Sequence, residues 1–115
     1  MQQNGTGNWY YAEYSTFIVQ SEADNYKLQV GGFSGNASYD ALGLDHNGQQ
    51  FTTFDRDNDR ASSRNCAANR GGGFWWHGCG GCLVNGASSS PGGFYWAYLP
   101  GGWGLQLSRM WLECK

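Results

Sequence analysis

The sequence predicts an α+β fold that is mainly β and rich in loops. Two features of its composition favour this class: 19 of the 115 residues are glycine, and 17% are aromatic. Glycines without a fixed period indicate a backbone that turns often, and aromatic residues are scarce in disordered chains. No segment carries the apolar stripe of an amphipathic helix. At this length the chain is predicted to form one domain, residues 1–115.

A hairpin is predicted near the amino terminus. Residues 9–19 are rich in aromatic and β-branched side chains, which favour strands. Residues 26–30 alternate apolar and polar side chains, as half-buried strands do, and residues 21–25 form the turn between the two. We therefore expect strand structure over about residues 9–31.

Loops occupy most of the remaining chain. Residues 46–66 are expected to form a long ordered loop, and residues 71–104 are dense in glycine with interspersed aromatic residues. Alternation resumes at Leu105, but its phase slips at Arg109. This slip predicts a last strand over about residues 105–112 that either contains a β-bulge or is buried on both faces.

Charge and hydropathy exclude several classes of function. Seven basic residues stand against nine acidic ones, and the basic residues do not form a cluster typical of nucleic-acid or anionic-membrane binding. No apolar run approaches the roughly 18 residues of a membrane span. The sequence shows no Ser/His/Asp arrangement, paired-carboxylate site or phosphate-binding loop, so we do not expect an enzyme.

Cysteines and glycosylation motifs favour an extracellular, secreted protein. Two N-x-[ST] motifs offer Asn4 and Asn36 as glycosylation sites. The four cysteines permit three disulfide connectivities and lie at Cys66, Cys79, Cys82 and Cys114. A zinc or redox site built on Cys79, Cys82 and His77 is disfavoured, because there is no second C-x-x-C and no helix follows the motif.

An acidic loop is the most chemically informative stretch. Every second residue from Asp55 to Asp59 is aspartate, and carboxylates at this spacing can converge on Ca²⁺, which prefers six to eight oxygen ligands. An EF-hand is excluded, because Arg60 and Cys66 stand where that motif needs glycine and glutamate. The other interpretation of the residues themselves is a solvated turn whose carboxylates are neutralised by Arg56 and Arg60.

The motifs around this loop resemble those of the fibrinogen-related domain, which fibrinogen chains, ficolins, tachylectins, angiopoietins and tenascins share. In family order they are HNG at 46–48, FTTFDRDND at 51–59, NCA at 65–67, FWW at 74–76 and VNG at 84–86. The resemblance implies a fibrinogen C-terminal-like fold, with a short twisted antiparallel sheet and a long calcium-binding loop region. It also implies a non-enzymatic extracellular module, with the calcium and pocket region at about residues 46–104.

The resemblance further implies a metal site and a disulfide. The Ca²⁺ ligands would be the side chains of Asp57 and Asp59 and the backbone carbonyls of Ala61 and Ser63, with Asp55 in a supporting role. The implied disulfide is Cys66–Cys79. For the other two cysteines we favour a bond between Cys82 and Cys114 over bonds to another chain, because four cysteines pair off evenly.

The implied ligand pocket departs from the family pattern. Its candidate residues are Arg70, Trp76, His77, Cys79 and Gly80. Gly80 stands where acetyl-binding members commonly have histidine, and Arg70 replaces a family tyrosine. The loop at 87–93 is short. Arg70 favours an anionic ligand, and the usual acetyl-group recognition is either altered or lost.

Two functions follow as expectations. The first is a calcium-stabilised recognition module, lectin-like, that binds a glycan or glycoprotein. The alternative is a structural or adhesive subunit that assembles with itself or with other chains. The resemblance covers only the C-terminal part of the family pattern, so we also expect an oligomer or a partner chain that supplies the missing half.

Overall fold

The computed structural model describes residues 1–87 and 93–114. Its elements are short, and antiparallel pairing dominates. In chain order they are β1 (Gln2–Gln3), β2 (Ala12–Val19), a 3₁₀ turn (Glu22–Asp24), β3 (Leu28–Gly35), a π-helical turn (Leu42–His46), α1 (Cys66–Arg70), β4 (Cys82–Leu83), β5 (Tyr95–Trp96) and β6 (Leu105–Leu107). This is the mainly β, loop-rich fold that the sequence predicts.

The predicted amino-terminal hairpin is present as β2 and β3. Phe17 lies opposite Val30, and Val30 and the neighbouring Leu28 are buried in the core. The turn reverses the chain through Asn25 and Tyr26, whose φ angles of 51° and 56° lie in the left-handed region. A hydrogen bond stabilises this strained turn, because the Trp75 indole donates to the Tyr26 carbonyl at 2.8 Å.

The last strand is shorter than predicted. β6 ends at Leu107 and pairs with β1 through an irregularity, in which Gln2 and Gln3 face Leu107 and Leu105. Two residues of β6 thus advance for one of β1, which is a β-bulge between Leu105 and Leu107. The sequence placed the slip later, at Arg109, which β6 does not reach. Within the described residues β1 offers no partner beyond Gln2, so residues 108–112 do not continue as a strand.

The bulge separates two environments across this small ribbon. Gln3 and Leu105 face the core, where Gln3 is fully buried. The Gln3 side-chain amide donates to the carbonyls of Pro100 and Gly102 at 2.7 and 2.6 Å, and its Oε1 accepts the Thr6 hydroxyl at 2.6 Å, so its polar atoms are bonded. Gln2 and Leu107 lie on the opposite face.

The core joins the hairpin to the glycine-rich second half. β4 and β5 pair Cys82 with Trp96, and both are buried together with Trp76, Leu83 and Leu99. The described part of the chain has no helix with the length and apolar character needed to cross a membrane.

Candidate functional site

The acidic loop is folded onto the core by amide side chains. Asn58 donates to the Phe51 carbonyl at 2.9 Å, and its backbone N–H donates to the Thr52 hydroxyl at 3.0 Å. Asn65 donates from its side chain to the Thr53 carbonyl at 2.9 Å. Thr52 in turn pairs with Phe74 through backbone bonds in both directions. The predicted long loop is therefore ordered by side-chain-to-backbone bonds rather than by regular structure.

Asp59 connects this loop to the disulfide. One carboxylate oxygen accepts from the Ala61 N–H at 2.9 Å, and the other accepts from the Cys66 N–H at 2.8 Å. Cys66 begins α1 and is bonded to Cys79, so the family-implied disulfide is present. A single half-buried carboxylate thus links the acidic loop, the helix and the disulfide.

The other two aspartates are held less tightly. Asp57 is exposed and accepts the Asp59 N–H at 3.2 Å. Asp55 is exposed and accepts the Thr53 hydroxyl at 2.7 Å. Both bonds are to residues two positions away, so these two carboxylates are held less firmly than that of Asp59.

The donor set fits a hard cation. Asp57 and Asp59 would supply carboxylates two residues apart, and the backbone carbonyls of Ala61 and Ser63 would add the oxygen donors that Ca²⁺ prefers. Each Asp59 oxygen accepts one hydrogen bond and retains a second lone pair for a metal. The sulfur atoms of Cys66 and Cys79 also lie close to Asp59. Because they are joined in a disulfide, they offer no thiolate to a soft metal.

Helix α1 is set by residues at its two ends. The Asn65 side chain accepts the Ala68 N–H at 3.1 Å, which caps the amino terminus. Gly71 ends the helix at φ 81°, a left-handed conformation that favours glycine. The sequence pattern does not predict this short helix, although the Asn and Gly that flank it are residues that favour the two ends of a helix.

The side chain of Arg70, at the end of α1, contacts the disulfide residue Cys79. Its Nε donates to the Cys79 carbonyl at 2.8 Å, and its guanidinium lies 5.3 Å from the centre of the Tyr95 ring. Burial raises the pKa of Tyr95 to about 12, so the phenol remains protonated and points its hydroxyl at the same carbonyl, 3.4 Å away. Cys79 has φ 66°, which turns its carbonyl towards both groups.

The remaining pocket candidates divide between surface and core. His77 and Gly80 are exposed beside Cys79, and the His77 carbonyl accepts the Arg60 N–H at 2.8 Å. Trp76 is fully buried and donates to the Gly72 carbonyl at 3.0 Å. The prediction that Trp76 lines a pocket is therefore corrected: its ring packs in the core and does not reach the surface.

His46 is a buried residue of this region whose role the sequence did not specify. Its Nδ1 lies 2.7 Å from the Trp75 carbonyl, and its Nε2 accepts the Cys82 N–H at 3.1 Å. Burial lowers the pKa of His46, so the ring is neutral, with Nδ1 as donor. Gly81, with φ 95°, passes so close that an added Cβ would lie 2.5 Å from Nε2.

The Cys82–Cys114 bond favoured from the sequence is not formed. Cys82 is fully buried in β4, whereas Cys114 is exposed near the end of the chain, and both are free thiols. Burial raises the pKa of the Cys82 thiol well above its usual value, which disfavours the reactive thiolate. Counting cysteines could not show that one of them is enclosed by the core.

The two glycosylation motifs place their asparagines at the surface. Asn4 and Asn36 are both exposed, and the side-chain Oδ1 of Asn36 accepts the Tyr11 N–H at 2.8 Å. Their modification stays a prediction. The short loop at 87–93 falls largely on residues 88–92, outside the described residues.

A family model described as fibrinogen beta and gamma chains, C-terminal globular domain, matches residues 2–113. The chain belongs to this family. Angiopoietin-related protein 7 of Bos taurus is 42% identical over 84 residues, which are 73% of this chain and 24% of the relative. Angiopoietin-related protein 2 of Mus musculus is 38% identical over 108 residues, which are 87% of this chain and 21% of the relative. The chain thus spans under a quarter of the length of these curated relatives.

Solved structures give the same assignment. The fibrinogen-like globe domain of human ANGPTL2 superposes with a TM-score of 0.76 at 37% identity, over 90% of this chain and 51% of that one. The lamprey fibrin D-dimer complexed with the peptide ligand Gly-His-Arg-Pro-amide superposes with a TM-score of 0.65 at 28% identity, over 74% of this chain and 30% of that one.

Proposed function

We propose that this chain is a secreted, calcium-stabilised, non-enzymatic recognition module that binds a glycan or glycoprotein. Membership of the fibrinogen C-terminal family supports recognition, and the solved lamprey neighbour is a complex with a peptide ligand. The Cys66–Cys79 disulfide and the two exposed glycosylation motifs support an oxidising, extracellular setting.

The Asp59 carboxylate is the observation that carries this proposal. Through its bonds to Ala61 and Cys66 it holds the acidic loop against the helix and disulfide that bear Arg70. Asp57 and Asp59 would hold the Ca²⁺ ion, and its positive charge would offset the repulsion between the two carboxylates. The protein's own contacts position the arginine. Asp59 fixes Cys66, the disulfide fixes Cys79, and the Cys79 carbonyl orients Arg70.

The charges around the disulfide favour an acidic ligand. Arg60 is bonded through its backbone to His77, and Arg70 is bonded through its side chain to Cys79, so two arginines border one short segment. Carboxylate, sulfate and phosphate groups match the planar guanidinium donors of arginine. Neutralisation of Asp57 and Asp59 by Ca²⁺ would make this surface more positive. We therefore place the ligand at Arg70, His77 and Gly80.

A glycan array tests the proposal directly. The array pairs sialylated and sulfated glycans with their neutral counterparts and includes Gly-His-Arg-Pro-amide as a peptide probe. We expect binding to acidic glycans that falls roughly tenfold in EDTA and roughly tenfold in Arg70→Gln, the loss of a charged hydrogen-bonding partner. Arg109→Gln is the matched control, because it removes the same charge from outside the acidic loop and disulfide region. Absence of binding to every probe in Ca²⁺, or equal losses in the two variants, would contradict the proposal.

A further inference from the structure

A cleft with mainly polar walls lies between the hairpin and the acidic loop. Its volume is about 290 Å³, close to the ~300 Å³ at which ligand-binding clefts usually begin. We define the turn cleft by the five cationic and amide side chains on its lining, which are Lys27, Gln49, Gln50, Asn58 and Arg60. The first belongs to the hairpin, and the other four belong to the acidic loop and the segment just before it.

Hydrogen bonds hold the walls of the turn cleft together. The Leu28 N–H donates to the Gln49 carbonyl at 3.0 Å, and the Phe51 N–H donates to the Asn25 carbonyl at 2.9 Å. The segment before the acidic loop is thus bonded to the hairpin at two points. The acidic loop is bonded to the same segment, because the Asn58 side chain donates to the Phe51 carbonyl at 2.9 Å. A cleft whose walls are fixed in this way binds a ligand at a low cost in ordering.

Two cationic side chains, those of Lys27 and Arg60, line the turn cleft. Both are exposed, and within the part of the chain that the structure describes neither forms an ion pair. Asp59 is the carboxylate on the lining, but both of its oxygens accept backbone N–H bonds, from Ala61 and Cys66. These N–H dipoles offset part of the negative charge of Asp59, so the two cations favour an anionic group from a ligand.

The remaining groups of the cleft and its neighbourhood favour a sugar over a small inorganic anion. The amides of Gln49, Gln50 and Asn58 offer both donors and acceptors, which match the hydroxyl groups of a sugar. A second cleft of about 240 Å³ shares Asn58 and is lined by the aromatic rings of Tyr26 and Phe51. Tyr26 is 43% exposed, so its ring can pack against the apolar face of a sugar ring.

We propose that the turn cleft binds an acidic sugar of a glycan, in addition to the surface around Arg70. The ligand class rests on the proposed function, whereas the position rests on the turn cleft itself. Lys27 and Arg60 would pair with the carboxylate or sulfate ester of the sugar, and Tyr26 would pack against the neighbouring ring. The two sites adjoin, because the Arg60 N–H donates to the His77 carbonyl at 2.8 Å.

Isothermal titration calorimetry of the full chain in calcium-containing buffer tests this proposal. The probes are inorganic sulfate and two hexasaccharides with acidic sugars, chondroitin sulfate and the unsulfated hyaluronan. We expect at least one hexasaccharide to bind, and the pair distinguishes a sulfate ester from a carboxylate as the bound group. Lys27→Gln should weaken this binding roughly tenfold, through loss of a charged hydrogen-bonding partner. Lys27→Arg keeps the cation and should stay within about threefold of the wild-type affinity.

The matched control is Arg109→Gln, which removes an exposed cation from outside the turn cleft and should leave the affinity unchanged. Circular dichroism should show every variant folded, since Lys27 and Arg109 are both exposed. The proposal is overturned if neither hexasaccharide binds, if inorganic sulfate binds as tightly as they do, or if Lys27→Gln and Arg109→Gln behave alike.

Arg70→Gln distinguishes this proposal from the proposed function. A loss of affinity in Arg70→Gln with none in Lys27→Gln overturns the turn cleft and leaves the proposed function standing. The reverse result supports the turn cleft and contradicts the surface around Arg70. Losses in both variants support one glycan that contacts both sites.

Discussion

Two regions of the molecule differ in how far their large side chains are buried. They are the disulfide region, residues 46–86, and the terminal ribbon, residues 1–10 and 105–114. In the disulfide region the large rings of Phe74 and Trp76 are enclosed, and the polar atoms of His46 and Asp59 are bonded to backbone. The terminal ribbon encloses Gln3 and Leu105 on one face and leaves large apolar side chains in solvent on the other.

Hydrogen bonding does not separate the two regions, because among the described residues no buried side-chain nitrogen or oxygen lacks a partner. They differ in what remains exposed: Trp111 and Leu112 of the terminal ribbon are largely in solvent, whereas Phe74 and Trp76 are enclosed. We propose the recognition surface on the disulfide region.

Substituting one tryptophan in each region should give the largest difference in the free energy of unfolding between the two regions. Trp76→Ala removes a fully buried ring and should lower the free energy of unfolding by about 3–5 kcal/mol. Trp111→Ala, at a residue 71% exposed, should change it by less than about 0.5 kcal/mol. Urea denaturation followed by circular dichroism measures both. If Trp76→Ala does not fold, Trp76→Phe supplies a milder version, and equal losses at the two positions would contradict the account.

Removing the disulfide should have the next largest effect. Cys66 and Cys79 are separated by 13 residues, and a loop of this length contributes about 3 kcal/mol in the chain-entropy model. We expect this loss in Cys66→Ser/Cys79→Ser by urea denaturation. Cys114→Ser, at an exposed free thiol, is the control and should be neutral. An unchanged midpoint in the double variant would show that the disulfide does not hold this region.

The link through Asp59 can be measured without metal. In EDTA, Asp59→Asn places an amide NH₂ against a backbone N–H and should cost about 1–3 kcal/mol. Asp57→Asn alters an exposed side chain with one long hydrogen bond and should cost less than about 0.5 kcal/mol. Thermal denaturation in calcium-free buffer distinguishes them, and a larger loss in Asp57→Asn would contradict the assigned roles.

The smallest expected effect is pH dependence from His46. Its pKa is lowered in the folded state, so the unfolded chain binds more protons between that value and about 6.5. The contribution of His46 to stability should be level above pH 6.5 and should fall as the pH drops from there towards 5. His46→Gln should flatten this part of the profile, and His77→Asn, at an exposed histidine, should not. A wild-type profile that is level down to pH 5 would contradict the burial argument.

The sequence could predict what depends on local pattern and on motif. The hairpin follows from the alternation at 26–30, and the disulfide follows from the family motifs. It could not predict what depends on tertiary packing. The core encloses Trp76 and Cys82, so Trp76 does not line a surface and Cys82 does not reach Cys114. Composition does not show which side chains the core encloses.

The part of the candidate site that needed the structure is the connection between its motifs. Spacing places Asp57 and Asp59 in one loop, but it does not show that Asp59 also bonds to the backbone of Cys66. The partner of Arg70 was likewise not visible, because Cys79 is nine residues away and approaches only through the disulfide turn. These contacts bring the acidic loop, the helix and the disulfide together in one region of the structure.

Calorimetry with and without calcium tests the central claim, that a metal at Asp57 and Asp59 stabilises the recognition surface. The wild-type chain in excess Ca²⁺ should unfold several degrees higher than in EDTA, since a ligand at 100 times its Kd adds about 2.7 kcal/mol. Asp57→Asn should lose most of this increase, and Glu13→Gln, which removes an acidic charge from the end of the hairpin opposite its turn, should keep it. Equal midpoints for the wild-type chain in Ca²⁺ and in EDTA would contradict the account.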